Sequence, residues 1–154
     1  MPFVKVYIHF VWSTKNRVRT LNTPEIRQKV WQHIRENAIK KGIFIDFVNG
    51  YAEHCHCLIS LGVDQTISKV MQLIKGESAF WFNKQGLTKQ KLEWQDARLN
   101  DELGQEYFAV SVSESQLDTV RNYIMNQEEH HRHKTFEQEY NELIVKYGFK
   151  KFPG

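Results

Sequence analysis

The sequence predicts an α+β fold of the ferredoxin-like type, in which a β-α-β-β-α-β order of elements forms an antiparallel sheet with helices on one face. Two observations support this prediction. Four segments rich in β-branched and aromatic residues are separated by segments with helical periodicity, and additional helical segments follow the fourth strand. The chain has 154 residues, of which 41% are hydrophobic, so we expect residues 1–154 to form a single domain.

The first strand and the first helix have clear boundaries. Residues 4–12 combine β-branched and aromatic side chains, which is typical of a strand, and residues 13–20 form a basic loop. Thr23 as the N-cap and Pro24 at the first helical position predict the start of a helix. Gly42 follows two lysines and predicts the end of that helix, because glycine readily adopts the left-handed conformation found after helices.

The second and third strands are predicted to form a hairpin. Residues 43–48 and residues 51–61 are both rich in strand-forming side chains. Asn49-Gly50 between them is a strong turn signal, because both residues tolerate the positive φ angles of a tight hairpin turn. We therefore place the turn at these two residues, with the strands antiparallel.

The second half of the chain supplies the remaining elements. Residues 66–83 show helical spacing, residues 84–105 are polar and predict a long loop, and residues 106–112 predict the fourth strand. A third long helix is predicted to start at Ser113, which begins a capping-box pattern. A last helix is predicted over residues 136–147, so additional C-terminal helices extend the ferredoxin-like order.

Basic side chains are concentrated in the first quarter of the chain. Residues 1–41 contain nine lysines and arginines but two acidic residues, a net charge of +7, whereas the rest of the chain carries −4. This asymmetry is consistent with a polyanion bound on one side of the molecule. A solvated helix face with acidic partners elsewhere in the fold explains the same pattern.

The composition also argues against several classes of protein. No apolar run approaches the ~18 residues that a membrane-spanning helix needs, and the amino terminus lacks the features of a signal peptide. The two cysteines, Cys55 and Cys57, cannot form a secreted disulfide framework. We therefore expect a soluble, cytoplasmic protein with no membrane partner.

The densest chemical signal is Glu53-His54-Cys55-His56-Cys57 in the third predicted strand. Since side chains alternate across a strand, the two histidines share one face and the two cysteines share the other, which argues against a mixed Cys/His zinc site. Glu53 should point away from His54. The histidines can share one metal ion if a third ligand arrives from elsewhere. Alternatively, they are incidental polar positions, with the cysteines acting as small buried hydrophobes.

A second signal lies on the third predicted helix. Tyr123 and Gln127 are four residues apart and therefore share one helical face. If this helix packs on the histidine face of the sheet, Gln127 can offer its amide oxygen as a neutral third ligand. Tyr123 can then supply a hydroxyl nucleophile beside the metal. Taken alone, Tyr123 is equally consistent with an ordinary amphipathic core position.

Together these motifs resemble a known family. A His-x-His strand followed by one helix with Tyr-x-x-x-Gln resembles the single-tyrosine HUH transposases of the insertion-sequence-200-like family. The segments 9–17, 94–95, 108–113 and 126–131 carry the same resemblance, which covers nearly the whole chain. Cys55 departs from the family pattern, in which a bulkier aliphatic residue is more usual.

The resemblance implies an HUH endonuclease fold and an enzyme that cleaves and rejoins single-stranded DNA. It implies that His54, His56 and Gln127 hold a divalent metal, Mg²⁺ or Mn²⁺. It also implies that Tyr123 attacks the scissile phosphate, which forms a 5′-phosphotyrosine link and releases a 3′-hydroxyl. Family members recognise DNA hairpins at element ends and work as homodimers. Single-stranded DNA with hairpin ends and a second copy of the chain are therefore the expected partners.

Basic residues after the first strand are the expected DNA contacts. Lys15 and Arg17 match a basic pair in the family pattern, and Arg19 follows them. Their charges are expected to bind phosphates and to make the affinity salt-dependent. Trp94 lies in the predicted long loop, so we expect it to be exposed and to stack on unpaired bases.

Three other functions stay open at the level of sequence. A domesticated, repeat-associated tyrosine transposase would share all the catalytic residues. The protein could also be a non-catalytic nucleic-acid-binding module, but then the two histidines, the tyrosine and the glutamine would have no shared function. A metal-dependent hydrolase that uses only the two histidines would form no covalent link to DNA. The sequence does not identify the base that removes the proton from Tyr123, whose ordinary pKa is ~10.

Overall fold

The computed structural model describes residues 2–99 and 102–148, with only the backbone described for 97–99 and 102–105. The strands are β1 (Val6–Ser13), β2 (Phe44–Tyr51), β3 (His54–Leu61), β4 (Asp96–Leu99), β5 (Glu102–Gln105) and β6 (Phe108–Val112). The α-helices are α1 (Pro24–Lys40), α2 (Ile67–Gln85), α3 (Leu117–Met125), α4 (Gln127–His130) and α5 (Phe136–Lys146). Short 3-10 turns occupy Lys15–Arg17 and Glu114–Gln116.

The main sheet contains four antiparallel strands in the order β2-β3-β1-β6, which is the arrangement that the ferredoxin-like order predicts. β1 lies between β3 and β6, so it is hydrogen-bonded on both sides. Val11 of β1 is opposite His56 of β3, and Ser13 is opposite His54. The predicted fold class is therefore confirmed, and the two histidines lie at one end of the central strand pair.

The sheet separates two hydrophobic cores. One face packs against α1 and α2, and its core includes Cys55 and Cys57 of β3. The opposite face carries two smaller clusters, one around Phe108 and Phe136 and one around Leu58, Leu117 and Ile124. The additional C-terminal helices therefore cover the face of the sheet that α1 and α2 leave free.

The hairpin between β2 and β3 differs from the prediction. β2 continues through Asn49 and Gly50 to Tyr51, which pairs with His54, so the turn lies at the next two residues. Gly50 is needed inside the strand for another reason. A Cβ atom at this position would lie 2.2 Å from the carbonyl oxygen of His54, so only glycine permits this close approach of the two strands.

The predicted third long helix is divided into shorter pieces. A 3-10 turn replaces its start, and the Ser113 side chain makes no capping hydrogen bond. α3 ends at Met125, and Asn126 leaves helical geometry with φ −94° and ψ 23° before α4 begins at Gln127. None of the helices that the structure describes is long and apolar enough to cross a membrane.

The segment predicted as a long loop contains additional regular structure. α2 extends to Gln85, and residues 96–105 include the β4–β5 hairpin. The buried Lys75 of α2 donates hydrogen bonds to the carbonyl oxygens of Gln95 and Glu106, at 3.0 and 3.1 Å. Because these residues flank the hairpin, one side chain anchors both of its ends.

Candidate active site

Two histidines of β3 form the floor of the candidate site. His54 and His56 have no exposed surface, and their side chains point toward α3, α4 and α5. Cys55 and Cys57 point into the core on the other face, where burial raises the pKa of both thiols. Strand alternation predicts this arrangement, which keeps the thiols away from any ion bound by the histidines.

Glu53 orients His54, contrary to the sequence prediction that it would point away. Glu53 lies in the turn before β3, where strand alternation does not apply, and its Oε1 is 2.7 Å from His54 Nδ1. Burial raises the pKa of Glu53, but the hydrogen bond and charge of His54 lower it below its ordinary value. A carboxylate at Nδ1 favours the tautomer that directs the Nε2 lone pair into the site.

His9 of β1 supports His56 in a similar way. His9 Nε2 lies 2.9 Å from His56 Nδ1, and the two rings stack with centroids 5.1 Å apart. Burial lowers the pKa of His9 to about 3 and the pKa of His56 to about 4. Both imidazoles are therefore neutral at pH 7, which is the state that a metal-ligating histidine needs.

Gln127 and His131 approach the histidines from the helical side. The Gln127 side chain is fully buried, and its Nε2 donates to the carbonyl oxygen of Tyr123, which turns Oε1 toward the site. This Oε1 lies 3.1 Å from His54 Nε2 and 3.1 Å from His131 Nε2. His131 could not be predicted as a site residue, because it lies in a polar run without a periodicity that indicates its direction.

The start of α4 is tied to the sheet by Asn49. Its Nδ2 donates to the carbonyl oxygens of Ile124 and Met125, at 2.9 and 3.1 Å. These carbonyls belong to the last turn of α3, where helical partners are missing. Asn49 therefore stabilises the break between the helices and with it the position of Gln127. The sequence had predicted that Asn49 would form a hairpin turn.

Glu139 of α5 lies at the centre of the cluster and was not identified from the sequence. Its side chain is 2% exposed, and Oε1 lies 2.9 Å from His56 Nε2. The other oxygen, Oε2, accepts a hydrogen bond from Tyr123 Oη at 2.5 Å. Burial alone would raise the pKa of Glu139, but hydrogen bonds from His131 and His56 hold it well below its ordinary value.

A weak sequence signal for Glu139 exists in hindsight. Phe136, Tyr140 and Leu143 form the apolar stripe by which α5 packs on the sheet. Glu139 interrupts this stripe, since it lies three residues after Phe136 and four before Leu143. A carboxylate on the buried face of a helix requires a partner, but the sequence does not show that the partners are histidines of a distant strand.

The donor atoms are spaced as a metal site requires. His54, His131 and Glu139 each place a ligand atom within 4.8 Å of the others. His54 Nε2 is 3.1 Å from Gln127 Oε1 and 3.5 Å from Glu139 Oε1. Adjacent octahedral ligands of Mg²⁺ are about 3 Å apart, given bonds of about 2.1 Å. His54 Nδ1 faces the Glu53 carboxylate, so its Nε2 faces two acceptor oxygens, an arrangement that a cation stabilises.

Tyr123 of α3 lies at the open side of this cluster. The side chain is half-buried, and its ring packs edge-on against the ring of His56 at 5.5 Å between centroids. Burial raises the pKa of Tyr123, and the charge and hydrogen bond of Glu139 raise it further. The phenol is therefore protonated at neutral pH, with a carboxylate in position to accept its proton.

Residues 3–127 match the sequence model of the family described as "Transposase IS200 like". The chain belongs to the IS200-like transposase family. Tyr123 and Gln127 lie inside the matched residues of this transposase, whereas His131 and Glu139 lie beyond them. No curated protein matches the chain.

Two solved structures have the same fold as this transposase. A crystal structure of a candidate transposase from Deinococcus radiodurans R1 is 22% identical, with a TM-score of 0.62, over 82% of this chain and 93% of that one. A REP-associated tyrosine transposase bound to a REP hairpin is 18% identical, with a TM-score of 0.58, over 85% of this chain and 72% of that one.

Two of the three predicted basic DNA contacts lie at the rim of the site. The Arg17 guanidinium lies 5.3 Å above the ring of Phe136, which stacks on His54 at 4.1 Å between centroids. Arg19 is exposed and lies 3.8 Å from Glu53. Lys15 is also exposed, and its Nζ lies 3.6 Å from Oε2 of Glu93, away from the contacts that Arg17 and Arg19 make.

Trp94 does not have the position expected for a residue that stacks on DNA bases. It is 6% exposed and packs edge-on against Trp12 in the core beneath α2, at 5.9 Å between ring centroids. Its indole Nε1 donates to Ser78 Oγ at 3.1 Å. The expectation of an exposed ring was wrong because residues that flank the β4–β5 hairpin are anchored to α2, and we assign Trp94 a structural role.

Proposed function

We propose that this transposase cleaves and rejoins single-stranded DNA at insertion-sequence ends through a 5′-phosphotyrosine intermediate, with the help of a divalent metal. One observation carries the proposal. The Tyr123 hydroxyl and four imidazoles all lie within 3.5 Å of the Glu139 carboxylate, so one side chain connects a nucleophile with candidate metal ligands. The imidazoles belong to His54, His56, His130 and His131.

We propose His54, His56 and Gln127 as metal ligands, and the donor spacing adds Glu139 and His131 to this set. A mixture of imidazole, carboxylate and amide donors suits Mn²⁺, and Mg²⁺ is the abundant alternative. When bound, such an ion supplies a Lewis acid that stabilises the charge developing on the scissile phosphate. Glu53 and His9 hold two of the imidazoles in orientation.

The residues of the chain account for the remaining steps. The Tyr123 oxygen attacks phosphorus while its proton passes to Glu139 Oε2, 2.5 Å away in the resting structure. The bond from phosphorus to the 3′-oxygen of the preceding nucleotide breaks, and that oxygen leaves as a 3′-hydroxyl after it takes up a proton. One phosphodiester replaces another, so attack by a 3′-hydroxyl on the phosphotyrosine rejoins DNA without a further energy source.

The DNA contacts proposed for this transposase are electrostatic. Arg17 and Arg19 lie at the rim of the site and Lys15 lies in the same segment after β1, where all three can bind phosphates. A hairpin as ligand is supported by the REP hairpin bound to one structural relative. That likeness also supports a domesticated, repeat-associated role as a second candidate. The homodimer stays a prediction from the family resemblance.

The test is the formation of a covalent protein–DNA adduct. The protein is incubated with Mn²⁺ and a library of single-stranded oligonucleotides that contain a hairpin and randomised flanks, and adducts are detected after denaturation. We expect an adduct with the wild type and none with Tyr123→Phe, which removes only the attacking oxygen. Tyr140→Phe, on α5, is the matched control. An adduct of equal yield with Tyr123→Phe would contradict the proposal, and its absence from every protein would favour a binding module.

A further inference from the structure

The candidate site opens to a cavity beside Tyr123. His54, His56 and Gln127 have no exposed surface, whereas Tyr123 is half-buried. A cavity of about 220 Å³ lies between α3 and α5, with Tyr123 and Glu139 in its wall. A nucleotide bound in this cavity would therefore lie next to the Tyr123 hydroxyl.

Most of the cavity surface away from Tyr123 is apolar. Val120 of α3 and Leu143 of α5 line it, together with the ring of Tyr147. Phe108 of β6 contacts Tyr147 in a T-shaped arrangement with ring centroids 5.7 Å apart, which supports this wall from the sheet. Such a surface suits a flat, weakly polar group and does not suit the sugar-phosphate backbone.

The charged groups of the cavity determine which kind of ligand it favours. Glu139 and Glu142 are its acidic residues, and Lys146 is its basic residue. Glu142 Oε2 accepts a hydrogen bond from Lys134 at 2.6 Å, and a carboxylate has the capacity to accept further hydrogen bonds. A phosphate in the apolar part would lie near two carboxylates and one ammonium group. The exocyclic amino group of a nucleobase, in contrast, can donate to Glu142.

We propose that the cavity between α3 and α5 is a specificity pocket for one nucleobase that adjoins the scissile phosphate, and that it favours a base with an exocyclic amino group. The proposal rests on the proposed function for the existence of a scissile phosphate at Tyr123. The volume of about 220 Å³ is below the ~300–1,000 Å³ of drug-sized pockets, so it admits a single base. Enzymes that act on nucleic acids commonly extrude a base from the stack into such a pocket.

The first experiment measures base preference with the same randomised hairpin library. Adducts are isolated and sequenced on both sides of the cleaved bond. At one adjoining position we expect adenine, cytosine and guanine to exceed thymine by about three- to tenfold, the effect of one hydrogen bond. Leu143→Trp, which fills the cavity, should abolish this preference and lower the adduct yield. Glu142→Gln should reduce the preference, because the amide loses the charge that favours an amino donor.

Val145→Trp is the matched control, because Val145 lies on the same helix, is 81% exposed and does not line the cavity. We expect this variant to keep both the preference and the yield of the wild type. Equal preferences in Leu143→Trp and Val145→Trp would overturn the specificity pocket. Thermal unfolding of both variants identifies a loss of fold, and Val120→Phe then replaces Leu143→Trp as the filling substitution.

A second measurement does not depend on cleavage. A hairpin oligonucleotide selected from the library by binding carries 2-aminopurine at each flanking position in turn, and Tyr123→Phe serves as the parent protein. At one position we expect a change in fluorescence on binding that Leu143→Trp removes and Val145→Trp retains. If no position responds, the specificity pocket is refuted. If the wild type forms no adduct but one position responds, the pocket stands and the proposed reaction fails.

Discussion

The two halves of the candidate site are built in different ways. The strand half consists of His54 and His56 on β3 and His9 on β1, in the interior of the sheet. The helical half consists of Gln127 on α4 and Glu139 on α5, which approach from two short helices. The strand half is positioned by ladder hydrogen bonds on both sides, whereas the helical half is positioned by side-chain contacts across the sheet face.

This difference shows which part of the site the family match contains and which part it does not. The family match includes β1, β3 and α3 and ends at residue 127, so it contains the strand half and the first residue of α4. The residues that complete the charge of the site, His131 and Glu139, follow that boundary. The sheet thus presents the imidazoles, and the C-terminal helices add the carboxylate that makes the site attractive to a cation.

The largest effect is expected from breaking the strand half. His56→Ala should lower the cleavage rate by about 1,000-fold, because the variant loses a proposed metal ligand and one of the hydrogen-bond partners of Glu139. Binding of the hairpin should stay within about twofold in a gel-shift or anisotropy assay, since the proposed phosphate contacts lie elsewhere. His133→Ala, at an exposed histidine, is the control. A parallel loss of hairpin binding would point to a structural role for His56.

A smaller effect is expected from the helical half. Glu139→Gln keeps the shape of the side chain but removes its charge, so the affinity for Mn²⁺ should fall by about 10- to 100-fold. Titration calorimetry or electron paramagnetic resonance measures this directly, without DNA. Glu137→Gln on the same helix is exposed and should bind Mn²⁺ like the wild type. An unchanged affinity in Glu139→Gln would show that the carboxylate is not a ligand.

The smallest effect is expected where the two halves are joined. Asn49→Ala removes two hydrogen bonds to the last carbonyls of α3, so the free energy of unfolding should fall by about 1–3 kcal/mol. Mn²⁺ affinity should fall less than in Glu139→Gln, because Gln127 is displaced but still present. Urea unfolding and calorimetry measure both quantities, with Asn141→Ala as the control. A variant with wild-type stability would contradict the anchoring role of Asn49.

The parts of the fold that could be predicted are those governed by local rules. Thr23 accepts a hydrogen bond from the Ile26 backbone at the start of α1, and Gly42 has a φ of 70° after its end. The alternation of His54 and His56 against the cysteines followed from the geometry of a single strand. Each of these features depends on neighbours in sequence, which a pattern can represent.

The errors came from positions where a distant partner overrides a local preference. Asn49-Gly50 has the composition of a turn, but the approach of β3 requires glycine inside the strand. The Asn49 side chain donates a hydrogen bond to the end of α3. Glu53 reverses its predicted direction because the turn lies three residues later than expected and includes Glu53. Trp94 is buried because its indole donates to Ser78 of α2. Local propensity is a weak guide at such positions.

By itself, the sequence determined the ferredoxin-like order, the pairing of two histidines on one face and the candidate nucleophile Tyr123. Only the tertiary structure decided that Glu139 joins the histidines to the tyrosine, that His131 turns toward Gln127, and that a cavity opens beside the nucleophile. The physical reason is that periodicity specifies the face on which a side chain lies. The partners of a buried charge depend instead on how separate helices dock on the sheet.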